Sequence, residues 1–228
     1  MADDEQLTVP RVSEEKASAA NKPDSAGAGI VSRQVQSEIL IFQRMTFHNG
    51  NVYEGQFLNG LYHGEGQYTY AVGTVYEGGW VAGKRSGKGH YKHASGAVYD
   101  GDWLDDKRHG RGLYTYPDGA IYEGDWVAGR RTGKGKAAHV NKTFYEGDFV
   151  EGKRHGEGLS TFSNGAVYEG GWRDGKMHGA GKYTSSAGDC YEGNFVAGKR
   201  HGQGTYTYAN GAVVVGVWVD GVHQRPLD

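Results

Sequence analysis

Basic doublets recur along this chain at a fixed interval and are its first candidates for chemistry. They are Lys84 and Arg85, Lys107 and Arg108, Arg130 and Arg131, Lys153 and Arg154, and Lys199 and Arg200, with Lys176 as a single member. Placed in turns along one edge of a sheet, they could read anionic headgroups, each basic group near an anionic leaflet contributing about 1 kcal/mol. The competing reading is a row of solvated turns paired with acidic positions such as Glu54, Glu77 and Glu123. Strand twist of roughly 20 to 25° per pair would let only two or three such turns face a flat bilayer together, which puts lipid contact second. His63, His109, His155, His178 and His201 recur in the same way. Equivalent residues in successive two-strand repeats lie about 10 Å apart, whereas zinc needs ligands at about 2 Å, so they read as packing or turn residues. Cys190 falls at a phase otherwise held by Val, Ile or Phe and reads as a small buried apolar side chain. No nucleophile, acid and base constellation interrupts the pattern, so no enzyme, cofactor or metal is expected.

What positions these residues is a period of 23. Tyr53, Tyr76, Tyr99, Tyr122, Tyr145, Tyr168 and Tyr191 each open a Tyr-(Glu/Asp)-Gly triplet without insertion or deletion, and Val214-Val215-Gly216 is an eighth copy. A fixed period of this length means a stacked array whose units bury their apolar faces against neighbours. A second phase is aromatic throughout: Phe57, Trp80, Trp103, Trp126, Phe149, Trp172, Phe195 and Trp218. With a side-chain period of two, Tyr53, Gly55 and Phe57 share one face of a strand, opposite Glu54 and Gln56. Gly64 to Tyr70 alternates likewise. Two strands per repeat follow, with an aromatic face on which glycine leaves room for rings to lie over backbone.

Asp118-Gly119, Asn164-Gly165 and Asn210-Gly211 read as turns between repeats, and segments such as Gly152 to Gly156 as turns within them. The fold class expected is all-β: an elongated single-layer antiparallel β meander of about eight 23-residue hairpin repeats. About 16 strands at ~4.8 Å give a body roughly 75 Å long.

The unit Tyr-Glu-Gly-x-Trp-x-x-Gly-Lys-Arg-His-Gly-x-Gly-x-Tyr-Thr-Tyr, seen closely at 122 to 139 and 191 to 208, resembles the MORN repeat (membrane occupation and recognition nexus). The resemblance spans about residues 45 to 224. It implies a binding function. Proteins carrying this repeat include radial spoke head components of cilia and flagella, cytoskeletal scaffolds, junctional membrane tethers and extensions of lipid kinases. The repeat-only layout resembles the scaffold and axonemal members.

Composition narrows the partners. With 25 Lys and Arg against 27 Asp and Glu, the net charge of -2 provides no field for nucleic acid. One cysteine excludes an internal disulfide framework, and the first residues read as neither signal peptide nor lipidation site. A cytoplasmic, cytoskeletal protein is expected, with the axoneme of a cilium or flagellum implied by the resemblance.

The chain divides into a leader at 1–36, rich in Ala, Ser, Asp and Glu and expected to be disordered, a capping segment at 37–45, the array at 46–224 and a tail at 225–228. Both array ends break the pattern. Ile39, Leu40, Ile41 and Phe42 suit a capping strand or a short docking helix, the strand being preferred. In the last copy Val213, Val214, Val215, Val217 and Val219 replace the usual Tyr, Glu and polar residues. An uncharged apolar edge strand invites another chain, so these ends are expected to contact partner proteins or a second copy, unless the tail folds over the last strand. The function expected is a non-enzymatic scaffold in a cytoskeletal assembly; a peripheral membrane tether is the alternative.

Overall fold

The computed structural model describes residues 39–224. The leader 1–36, the first part of the capping segment and the tail 225–228 lie outside them. The described residues contain 17 strands and no helix. A capping strand, β1 (Ile41–Thr46), precedes the array. Each repeat then adds a seven-residue and a nine-residue strand: β2 (Val52–Leu58) and β3 (Leu61–Thr69), β4 (Val75–Val81) and β5 (Lys84–Lys92), β6 (Val98–Leu104) and β7 (Lys107–Thr115), β8 (Ile121–Val127) and β9 (Arg130–Ala138). The second half continues with β10 (Phe144–Val150) and β11 (Lys153–Thr161), β12 (Val167–Arg173) and β13 (Lys176–Thr184), β14 (Cys190–Val196) and β15 (Lys199–Thr207), and ends with β16 (Val213–Val219) and β17 (Val222–Gln224). Every strand pairs antiparallel with its sequence neighbours, from β1 against β2 to β16 against β17. The result is one open sheet, the single-layer meander that the period required.

Two kinds of hairpin generate it. Between repeats, Tyr116 N–H donates to Ala120 O (2.8 Å) and Gly119 N–H to Tyr116 O (2.9 Å), with Gly119 at φ 88°. The Asp118 carboxylate accepts the Ala120 N–H at 3.0 Å and so closes the turn. Within a repeat the turn is tighter and lies one step earlier than the sequence suggested. Val150 pairs with Lys153, leaving only Glu151 and Gly152, at φ 49° and 80°, as loop. Both positive angles belong to the two-residue hairpin whose twist matches the flanking strands. Gly152 to Gly156 is therefore mostly strand, and Lys153 and Arg154 open β11 instead of forming the turn.

A bulge follows. Gly147 pairs with Gly158 but Asp148 pairs with His155, so Gly156 and Glu157 are extra on β11. The Asp148 carboxylate accepts the Glu157 N–H freed by this bulge at 3.1 Å, and Asp102, Asp125 and Gln56 do the same for Arg111, Lys134 and Glu65. Burial alone would raise the Asp148 carboxyl, but its bonds from Lys134 and the Glu157 N–H hold it below the usual carboxylate range.

The core is a ladder of rings on one face. Tyr53, Tyr76, Tyr99, Tyr122, Tyr145, Tyr168 and Tyr191 are essentially inaccessible, and from Trp80 to Phe195 the large aromatic of each repeat stands edge-on to two of them. Trp172 lies 5.3 Å from both Tyr145 of the preceding repeat and Tyr168 of its own. Each tyrosine hydroxyl donates to the carbonyl three residues on, as Tyr145 does to Asp148 O at 2.9 Å, so the polar end of a buried ring is satisfied.

Burial pushes the phenols of Tyr122, Tyr145 and Tyr168 up to about 12. Because the folded value is raised, the stability these phenols contribute is complete below the unfolded value near 10 and is lost as pH rises through about 12. The array should thus unfold cooperatively over that alkaline interval. Phenolate absorbance should appear together with loss of the β circular dichroism signal. Phenolate appearing at its ordinary pH with the sheet intact would contradict a ring ladder of this kind.

Candidate functional site

On this scaffold the basic doublets separate into two populations. Lys84 pairs with Val81 on the face opposite the rings, while Arg85 pairs with Trp80 and points to the aromatic side. Alternation then sends every first member outward and every second member inward.

The outward members lie at the hairpin ends, beside the next repeat. Lys84 bonds Asp105 at 3.2 Å, Lys153 approaches Asp174 at 3.7 Å, and Arg130 pairs with Glu151. Lys107 and Lys199 have no carboxylate partner among the described residues.

The inward members lie over the rings. The guanidinium of Arg85 is 4.4 Å from the Trp103 ring centre, Arg108 is 4.5 Å from that of Trp126, and Arg154 is 5.0 and 5.1 Å from those of Tyr145 and Trp172. Arg131 lies 5.3 Å from Tyr122, and Arg200 lies 5.2 Å from Tyr206. Arg85, Arg108, Arg131 and Arg200 each donate through Nη2 to the carbonyl of the second turn residue in the next repeat: Asp106, Gly129, Gly152 and Gly221, at 3.0, 3.4, 2.8 and 3.2 Å. These arginines clamp neighbouring repeats and are half-buried or buried, so they are not the solvated turn residues that the sequence suggested. The signal was present: a two-residue turn at Ala82-Gly83 would have started the strand at Lys84 and sent Arg85 inward.

Along the same face runs a row of half-buried aromatics on the second strands, including Tyr91, Tyr114, Tyr183 and Tyr206. One concavity of about 470 Å³ is lined by Arg85, Tyr91, Trp103, Arg108 and Tyr114, and another of about 430 Å³ by Met177, Tyr183, Arg200 and Tyr206. The histidines stay apart, one in each repeat that has one, and no group of three metal-ligating side chains occurs among the described residues. Cys190 is half-buried at the start of β14, more open than the buried position expected of it.

The ends differ from the middle. Residues Ile41 to Thr46 do pair as a strand, opposite Phe57 to Val52. Ile39, Leu40, Ile41 and Phe42 remain exposed, Phe42 at 67%. At the other end, among the described residues, β17 pairs with Val219, Trp218 and Val217 of β16. His223 packs against Trp218 with the rings tilted and their centres 4.7 Å apart, in the register that the inward arginine takes in other repeats. The sequence signal for this was missed: His223 continues the arginine phase 23 residues beyond Arg200. Val213 and Val215 stay 57% and 71% exposed, with Val217 and Val219 beside them on the same outward face, while Val214 packs toward the core.

The unit of tyrosine, glycine and large aromatic repeats from the second strand onward, with the inward arginine joining it in five repeats. The MORN repeat matches at residues 53–75, 76–98, 99–121, 122–141, 145–167, 168–190 and 191–213. The chain belongs to the MORN repeat family. MORN arrays are non-enzymatic repeat scaffolds acting in protein or membrane interaction, and that is the class of this protein. No curated protein matches the sequence. Among solved structures the chain is similar to the TCP domain of SAS-4 (dCPAP) from Drosophila melanogaster, in complex with a proline rich motif of Ana2 (dSTIL). The identity is 10%, the TM-score 0.41, and the alignment covers 90% of this chain and 99% of that one. It is also similar to the TCP10 domain of Danio rerio CPAP at 14% identity and a TM-score of 0.33, over 76% of this chain and 92% of that one. Neither likeness bears on what this MORN array binds.

Proposed function

We propose that this MORN protein is a scaffold that joins other proteins through the ends of its sheet. The reading is carried by β16, where Val213 and Val215 are 57% and 71% exposed and, among the described residues, β17 pairs as far as Val217. An uncharged edge strand is a template for another strand. The assembly is cytoskeletal, of the ciliary or flagellar axoneme and radial spoke type that the sequence resemblance favours. A second copy of the chain is one partner able to take the same edge. Lipid binding through the doublets is the weaker reading, because their arginines are drawn onto the aromatic face and Lys84, Arg130 and Lys153 already face carboxylates.

The test is purification of the tagged protein from ciliated cells, with the Val215→Lys variant in parallel. Tubulin-associated proteins should be enriched with the parent and lost with the variant, whose charge interrupts the edge. Light scattering shows whether a second copy is held the same way. Recovery with anionic vesicles in flotation, weakening steeply with salt while the protein partners stay indifferent to Val215→Lys, would overturn the reading in favour of a membrane tether.

A further inference from the structure

The first inward arginine has a resident anion, and the others do not. Arg85 Nε donates to Asp106 Oδ1 at 3.0 Å, and the same oxygen accepts the Arg85 N–H at 3.0 Å. Asp106 is the second turn residue of the following repeat, at φ 67°. At that place the later repeats have glycine: Gly129, Gly152, Gly175, Gly198 and Gly221. Arg108, Arg131 and Arg200 keep the carbonyl contact of the clamp and Arg154 instead donates to Ser160 Oγ at 3.4 Å, but none of the four has a carboxylate partner among the described residues. They are less deeply buried than Arg85, which is 6% exposed. Burial, and behind it the neighbouring charge of Arg131, lowers Arg154 from its ordinary value, as expected of a guanidinium short of a counter-ion.

Arg108, Arg131 and Arg154 are consecutive, and Met177 interrupts the row before Arg200. Successive seats are two strands apart, about 9.6 Å. A polyproline II helix advances about 9.3 Å in three residues and returns to the same side. A β-strand puts residues three apart on opposite faces. An α-helix returns after seven residues and about 10.5 Å, drifting about 2.7 Å over three steps against about 0.9 Å for polyproline II. Among the half-buried rings of this face, Tyr114, Tyr116 and Phe162 supply apolar surface against which proline packs, while the positions in phase with Tyr114 in the repeats of Arg131 and Arg154 are Ala137 and Ser160.

We propose that the aromatic face is a docking track for an acidic, proline-containing protein segment in polyproline II conformation, whose carboxylates at every third residue sit on Arg108, Arg131 and Arg154. The next third residue, opposite Met177, is apolar, and the one after it is acidic again for Arg200. The position before the first seat is neutral because Asp106 already fills Arg85. This rests on the reading of the array as a protein scaffold and names a second surface, away from the sheet ends.

The experiment uses the full chain and a fluorescent peptide of Glu-Pro-Pro repeats, read by anisotropy. The Glu peptide should bind at least about tenfold more tightly than its Gln counterpart, since charge-assisted bonds to arginine are the strong ones, and more tightly than a peptide with glutamates every fourth residue. Gly152→Asp should give Arg131 the resident carboxylate that Arg85 has, weakening the Glu peptide about tenfold while melting above Gly152→Ala, which carries the same left-handed strain without the ion pair. Arg154→Gln should weaken it comparably. Equal binding of the Glu and Gln peptides, or indifference to Gly152→Asp, would overturn the track. Binding of phosphatidylinositol bisphosphate vesicles that Gly152→Asp abolishes, without peptide binding, would overturn it too, by assigning the arginines to lipid. Partner capture sensitive to Val215→Lys is unaffected by either failure, so the two readings fall separately.

Discussion

Replacing Trp172 with alanine is expected to cost about 4 kcal/mol and to divide the unfolding of the array in two. The ring is 5% exposed and donates through Nε1 to Gly158 O at 3.0 Å. It is also wedged between Tyr145 and Tyr168 at 5.3 Å each, so it belongs to two repeats at once. In a linear array each unit contacts only its neighbours, and stability is close to a sum of units and interfaces. Removing a wedge in the middle weakens one interface and leaves blocks of several repeats on either side. Guanidinium denaturation should therefore show two transitions where the parent shows one, and amide exchange should accelerate first around Gly156–Trp172. Trp218→Ala is the control. Its ring is equally buried but faces Tyr191 on one side and only the short β17 on the other. Fraying of the last repeat with the remaining array intact is the expected result. Identical single transitions for the two variants would mean that the sheet is one cooperative block and that nearest-neighbour coupling is the wrong description.

Gly158→Ala should be nearly as damaging, though it adds one methyl group. A Cβ at Gly158 would lie 2.5 Å from the Tyr145 hydroxyl and 2.6 Å from its ring. Tyr145 cannot swing aside: it is fully buried, and its hydroxyl is tied to Asp148 O. Such overpacking costs about 3 kcal/mol, a fall in melting temperature of roughly 6 to 12 °C for a chain of this size. Gly175→Ala separates this clash from backbone strain. It sits at φ 81° with open space around its Cβ position, so only the left-handed penalty of about 1 to 2 kcal/mol applies. The melting temperature of Gly158→Ala should fall further than that of Gly175→Ala. The reverse order would show that the ring has room to move and that glycine stands at Gly158 for another reason.

These two effects were readable in advance to different degrees. Tyrosine and tryptophan spacing placed Trp172 and Tyr145 on one face of neighbouring strands, and the glycines between them implied close passage of rings over backbone. Which glycine lies beneath which ring depends on cross-strand register, and register depends on a two-residue bulge that leaves no mark in the period. The bulge keeps the inward and outward parity of each long strand, so a reading by alternation reached the right faces without detecting it. Alternation placed Gln56, and with it the phase of Asp102, Asp125 and Asp148, opposite the rings. Their task of accepting the N–H freed by the bulge could be seen only with the bulge in place.

By itself the sequence determined the repeat, the number of strands to within one, the turns between repeats and the aromatic side of the sheet. All of these follow from period-two alternation and from glycine and asparagine or aspartate at positions of positive φ, properties of short stretches of chain. The fates of Lys84 and Arg85, adjacent and alike in charge, were signalled by the turn before them but decided in the tertiary structure. The tight turn at Ala82-Gly83 sets the phase of the strand that follows, and the rings of the next repeat offer a guanidinium a surface that they do not offer a lysine facing the other way.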